Sequence, residues 1–171
     1  MDIRRITIPE GVVLSADRNP NCLVYISQEA ENANNLPNLV KVDNITNTDT
    51  AETVTLKDGY DFYNKIPFQG NVTYTRHLFD GWSTLALPFP YTINEERIEK
   101  YRNVDSDCIQ FNKVTGELTA NTAYLIHMDI VTDKIFSATN VEVPVTTVIE
   151  EDFKSKFAVF TMSGDEHLLI C

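Results

Sequence analysis

The chain's three histidines are His77, His127 and His167. A catalytic nucleophile would need one of them as a base within hydrogen-bond reach. No G-x-S-x-G elbow is present. His77 falls on the polar parity of an alternating run, His127 lies inside the apolar phrase YLIHM, and His167 borders a turn, so all three read as structural. Paired carboxylates of the glycosidase kind are abundant in type, with Asp and Glu totalling 25, but no spacing selects a pair. Glu150, Glu151 and Asp152 form an acidic run expected on a solvated turn. DGYD (58–61) and DSD (105–107) gather oxygen ligands without the terminal glutamate of an EF-hand loop, so they read as turns rather than calcium sites. With 6 glycines there is no phosphate-cradling loop. Catalytic residues, cofactors and metal ligands are therefore all expected to be none, and the chain is read as a non-enzyme.

Cys22, Cys108 and Cys171 are widely spaced, with no C-x-x-C and no histidine at zinc-ligand offsets. Cys22 and Cys108 sit beside apolar residues and are expected to be small buried hydrophobes. Terminal Cys171 is a thiol free to pair between chains.

Aromatic residues are the remaining chemistry. GWSTLALPFPYTI (81–93) contains the only tryptophan, and Leu85, Leu87, Phe89 and Tyr91 share one parity, which predicts a core row. Pro88 and Pro90 lack an N–H and are expected to end the strand or hold it at an edge. Trp82 is expected to cap the core, with a sugar-stacking role as the alternative. In DGYDFYNKIPF (58–68), Tyr60 and Phe62 share a parity and are expected inside, whereas Tyr63 faces out among Asp58, Asp61 and Asn64. Tyr63 and Trp82 are thus the candidate glycan contacts.

A net charge of −11 argues against nucleic-acid partners, which need a Lys/Arg surplus, and against anionic membranes. No stretch approaches the roughly 20 apolar residues of a membrane helix, and MDIRRITIPEG lacks a signal-peptide core. This is expected of a cytoplasmic protein, of one whose export signal has been cut away, or of a single domain taken from a longer protein.

Val, Ile and Thr make up 47 of 171 residues, and these branched side chains suit a pleated sheet. Period-2 alternation recurs at Ile6/Ile8, Val40/Val42, Val54/Leu56, Val72/Tyr74/Leu78 and Val141/Val143/Val145. CLVYI (22–26), AYLIHM (123–128) and FAVF (157–160) are apolar on both parities and read as strands covered on both faces. Turn signals lie at DRNPN, KDGYD, FDGW, VTGE and MSGDE. There is no βαβ rhythm, so a parallel sheet is not expected. Thr92 and Glu95 fit a capping box, predicting a helix over about 94–101, and a weaker helix is placed at 27–33. Residues 43–52 read as an exposed polar loop.

Five segments together, NPNCLVYI (19–26), LKDGYDFY (56–63), VTYTRHL (72–78), GWSTLALPFPYTI (81–93) and GELTANTAYLIHM (116–128), resemble a β-rich module found toward the C-terminus of secreted and cell-surface proteins of Bacteroidales, including leucine-rich-repeat surface proteins. Ala86 stands where that family often has cysteine, and Ala123 where it often has proline. The resemblance implies an extracellular or surface location with the export signal removed, and carries no catalytic residue. Asp49-Thr50-Ala51 also looks like the O-glycosylation acceptor of such bacteria, in the polar loop.

The reading as a whole is one all-β domain over 1–171, an antiparallel β-sandwich with one short helix. Its expected role is a non-catalytic surface module, structural or adhesive, contacting glycan or a host surface protein. A carbohydrate-binding module and a glycan-acting enzyme are the alternatives, and a spacer or fold cap within a larger surface protein is a further one.

Overall fold

The computed structural model describes residues 19–27, 38–43, 45, 48–105 and 108–146. Eleven strands run in chain order: β1 Val24–Ser27, β2 Leu39–Val42, β3 Thr50–Lys57, β4 Phe68–Leu78, β5 Gly81–Leu85, β6 Tyr91–Thr92, β7 Arg97–Asp105, β8 Cys108–Val114, β9 Glu117–Leu118, β10 Tyr124–Met128 and β11 Thr132–Val143. They form a five-stranded sheet in the order β1-β2-β3-β4-β11, a four-stranded sheet β5-β10-β7-β8, and a small β6-β9 pair. The two larger sheets pack as an all-β sandwich.

The alternating runs behave as their periodicity requires. Val54 and Leu56 of β3, Val72, Tyr74 and Leu78 of β4, and Phe136 of β11 are buried, and they meet Leu85, Ile98 and Ile126 from the other sheet. Leu85, Leu87 and Phe89 are interior, as their parity predicts, although β5 stops at Leu85 and the chain between the prolines is irregular. Gly59, Gly81 and Gly116 take positive φ at three of the expected turns, where other residues would be strained.

Several expectations are corrected. Residues 97–105 are a strand, not a helix: Ile98 pairs with both Ile126 and Val114, and pairing with β8 continues to Asp105↔Cys108. Local capping signals lose to two sheet partners. Of the weaker helix, Ser27 ends β1 and 28–33 lie outside the described residues, as do FAVF, His167, Cys171 and the acidic run 150–152. The five-stranded sheet is mixed, since β1/β2 and β3/β4 pair in parallel. A parallel return normally needs a helical crossover. Here the β3–β4 return, residues 58–67, stays irregular because buried side chains serve its backbone. Asn21 Nδ2 donates to Tyr60 O and Asn64 Oδ1 accepts the Ile66 N–H, while Asn64 Nδ2 ties the return to Val143 O and Pro144 O.

The described part of the 43–52 segment, residues 43, 45 and 48–52, is anchored to the fold rather than free. Asp49 is buried, its carboxylate accepts the Asp43 N–H at 3.0 Å and its carbonyl accepts from Gln69, so β3 is already engaged at Thr50. The Asp49-Thr50-Ala51 pattern therefore lies largely inside the fold. Tyr60 is 51% exposed because strand parity does not hold through the Gly59 turn. Cys22 and Cys108 are exposed and free. The reason at Cys108 is that β10 covers β7 only along Arg97–Glu99, so the far part of the β7–β8 ribbon runs beyond the edge of β10.

Among the described glycines the tightest is Gly70, where an added Cβ would stand 2.7 Å from Ala51 O and 3.2 Å from Ala51 Cβ. Because the obstacle is backbone, it cannot swing away. Gly70→Ala is expected to destabilise the fold by about 1–3 kcal/mol in chemical denaturation, the usual range for overpacking.

Candidate functional site

β5, β10 and β7 lie side by side, and their register aligns Trp82, His127 and Arg97 in one row across them. Ser83, Leu85, Ile98 and Ile126, on the opposite parity, are buried, so this row faces outward. Trp82 enters β5 directly after the Asp80-Gly81 turn and is 37% exposed. The Arg97 guanidinium lies 4.7 Å from its ring centroid, and His127 meets it edge-on at 5.0 Å. A planar cation over an indole face is attracted by the ring's quadrupole. Arg97 also reaches Glu99 at 3.3 Å, and His127 Nδ1 stands 3.4 Å from the Asp129 carboxylate. The row offers an apolar ring edged by donors and acceptors, which suits contact with a polar ligand that has apolar faces, such as a sugar.

Tyr63, the other predicted contact, is 56% exposed with the Lys65 ammonium 5.9 Å from its ring centroid. It does not join Trp82. Its neighbour Asn64 bonds to Val143, which pairs with Phe68 at the start of β4, whereas Trp82 follows the end of β4. At about 3.3 Å per residue, the 11-residue strand separates the two regions by roughly 30 Å. One small ligand cannot touch both.

A second imidazole pair lies on the outer face of the five-stranded sheet. His77 Nδ1 and Asp133 Oδ1, cross-strand partners, are 2.7 Å apart and exposed, with Phe79 edge-on to His77 at 4.9 Å. Within the calcium-like phrases, Asp58 accepts the Tyr74 hydroxyl at 2.7 Å and stands 3.6 Å from Arg76 Nε, and Asp105 accepts from Gln110 at 3.4 Å; residues 106 and 107 lie outside the described residues. Among the described residues no group of three His, Cys, Asp or Glu is placed to hold a metal.

The shifted titrations belong to links within the fold. Burial raises the Tyr25 hydroxyl to about 12, and that hydroxyl donates to Asn64 Oδ1 at 2.8 Å. Tyr74 is raised by burial and by its bond to Asp58. Tyr91 rises to about 12 through burial and the neighbouring Glu96 carboxylate. Burial opposes the Glu96 charge, but bonds from Lys134 Nζ at 2.6 Å, the Tyr91 hydroxyl at 2.8 Å and the Asn94 N–H at 2.8 Å outweigh it and hold the carboxyl at about 2. Lys134 sits on β11 and Glu96 just before β7, so this carboxylate ties the two sheets together.

Sequence reasoning reached Trp82 but missed Arg97 and His127 as its partners. The signal was present in parity: a strand, rather than a helix, at 97–105 puts Arg97 on the face opposite Ile98. No family model, curated protein or solved structure matches the chain.

Stability should follow these links. Glu96, depressed from an ordinary 4.5 to about 2, stabilises the fold fully above pH 4.5 and loses that contribution as pH falls toward 2. The raised tyrosines act at the other limb, where stability falls as pH climbs through 10 toward 12. Urea melts across pH should show both limbs, with the acid limb flattened in Glu96→Gln. Leu85→Ala should cost about 2–5 kcal/mol in the same assay, and Trp82→Ala, which removes a ring that is 37% exposed, should cost less.

Proposed function

We propose that the chain is a non-catalytic module of a secreted or cell-surface protein, structural or adhesive in role. The observation that carries this reading is the division of labour between faces. Among the described residues, the groups with altered proton affinity, Tyr25, Tyr74, Tyr91 and Glu96, are engaged in bonds within the fold. The Trp82, His127 and Arg97 row is presented outward on a flat sheet face. Catalytic groups with tuned proton affinities are usually aimed at a substrate cleft. The five segments that resemble the Bacteroidales surface module support a surface location, and the net charge of −11 favours a module that stays dispersed.

A carbohydrate-binding role is the second reading, favoured by one observation: the exposed Trp82 ring with Arg97 and His127 beside it. A host surface protein remains the other kind of partner for an adhesive module. Nucleic acid is disfavoured by charge, and among the described residues no helix is long and apolar enough to cross a membrane.

The test uses beads coated with the purified chain, presented to epithelial cells and to a glycan array, with surface proteolysis of intact producing cells run in parallel. Adhesion together with surface cleavage is the expected result. A glycan signal reduced about tenfold or more by Trp82→Ala favours the second reading. Hydrolysis of any arrayed glycan would overturn the non-catalytic reading, and a chain shielded from protease in intact cells would overturn the surface location.

A further inference from the structure

Two turns cross between the large sheets at one end of the sandwich: Phe79 and Asp80 join β4 to β5, and residues 129–131 join β10 to β11. Leu78 pairs with Thr132, and Gly81 pairs with Met128. The turns are thus flanked by paired residues on both sides and run next to each other, about one strand spacing of roughly 5 Å apart. Each carries large apolar side chains into water: Phe79 is 59% exposed, Ile130 67% and Val131 56%. Single exposed apolar residues are ordinary, but three on two adjoining turns form a patch, and turns at the end of a rigid scaffold are where binding surfaces concentrate.

The rim of this patch is acidic. Asp80 is exposed, the Asp129 side chain is 96% exposed and that of Asp133 is 73% exposed. His77 and His127 touch two of these carboxylates without covering them. An apolar centre favours an apolar side chain on the partner, and three aspartates within a chain of charge −11 favour cations around it. The same aspartates repel a second copy docked face to face and an anionic bilayer.

We propose that this end of the sandwich docks a protein partner that presents an apolar side chain flanked by lysine or arginine. The inference rests on the adhesive reading and deepens it by naming the partner's chemistry. It adjoins the Trp82 row, since His127 touches both the Trp82 ring and Asp129, but uses the turns rather than the sheet face.

The full chain is tested against synthetic peptides with a central Phe or Ile anchor flanked by lysine and arginine, alongside glutamate-flanked and serine-flanked versions. Binding is expected for the basic set, weakening as salt rises. The double variant Phe79→Ser/Ile130→Ser should bind about tenfold more weakly. Asp129→Asn with Asp133→Asn should bind severalfold more weakly with the apolar centre intact. All four positions are exposed, and near-ultraviolet circular dichroism checks that each variant is folded. Equal binding of the glutamate-flanked set, no binding of the basic set, or binding unchanged in both variants overturns the proposal. So does capture by phosphatidylcholine vesicles, or a dimer that Phe79→Ser abolishes. Cell adhesion that survives Phe79→Ser/Ile130→Ser overturns this inference alone, whereas a wild-type chain that adheres to nothing removes the adhesive reading itself.

Discussion

Buried asparagines are the constraint on which the rest of this fold depends. Asn21, Asn38, Asn64 and Asn121 are all buried, and each carboxamide bonds to backbone far away in sequence. Asn38 Nδ2 donates to Pro20 O while its Oδ1 accepts the Thr55 N–H. Asn64 accepts from Tyr25 and Ile66 and donates to Val143 and Pro144 through its side chain, while its backbone N–H donates to Thr146 Oγ1 and its carbonyl accepts the Thr146 N–H. Irregular chain can enter a protein interior only if its N–H and C=O groups find partners. A carboxamide supplies donors and acceptors together, so it can serve segments that neither sheet reaches. That is how β3 and β4 run parallel without a helix between them.

A second set of links fixes how the sheets face one another. Arg76 on β4 donates to Thr84 O on β5, and the Glu96 carboxylate draws Lys134 and Tyr91 to one point. Tyr91 packs edge-on to Phe136 within the same core. A buried carboxylate with several donors is stable only while every bond is made, since an unpaired charge in the interior is costly. The arrangement is therefore specific as well as stabilising. It also commits the inner groups to structure and leaves the outer faces and the turns as the surfaces open to partners.

Those surfaces follow from strand order. β10 is flanked by β5 and β7, which is why Trp82, His127 and Arg97 line up although they are far apart in the chain. The crossings β4 to β5 and β10 to β11 share an end because β4 pairs with β11 and β5 pairs with β10. One topological fact thus creates both the aromatic row and the apolar, acid-rimmed end beside it.

The sequence by itself determined the all-β class, the interior rows at 54–56, 72–78 and 85–89, and the glycine turns. Each rests on local rules: alternation of period 2, and the left-handed backbone that glycine accepts. It also marked Tyr63 as outward. What only the tertiary structure decided is which strands are neighbours. Thr92 and Glu95 look like a helix cap in isolation, yet Glu96 instead accepts the Asn94 N–H and binds Lys134, and the chain beyond it pairs with β8 and β10. The parallel pairings, the exposure of Tyr60 and Cys108, the burial of Asp49 and the gathering of Arg97 and His127 around Trp82 have the same origin. Each depends on partners distant in the chain, and a local pattern encodes which face a residue takes, not what lies across from it.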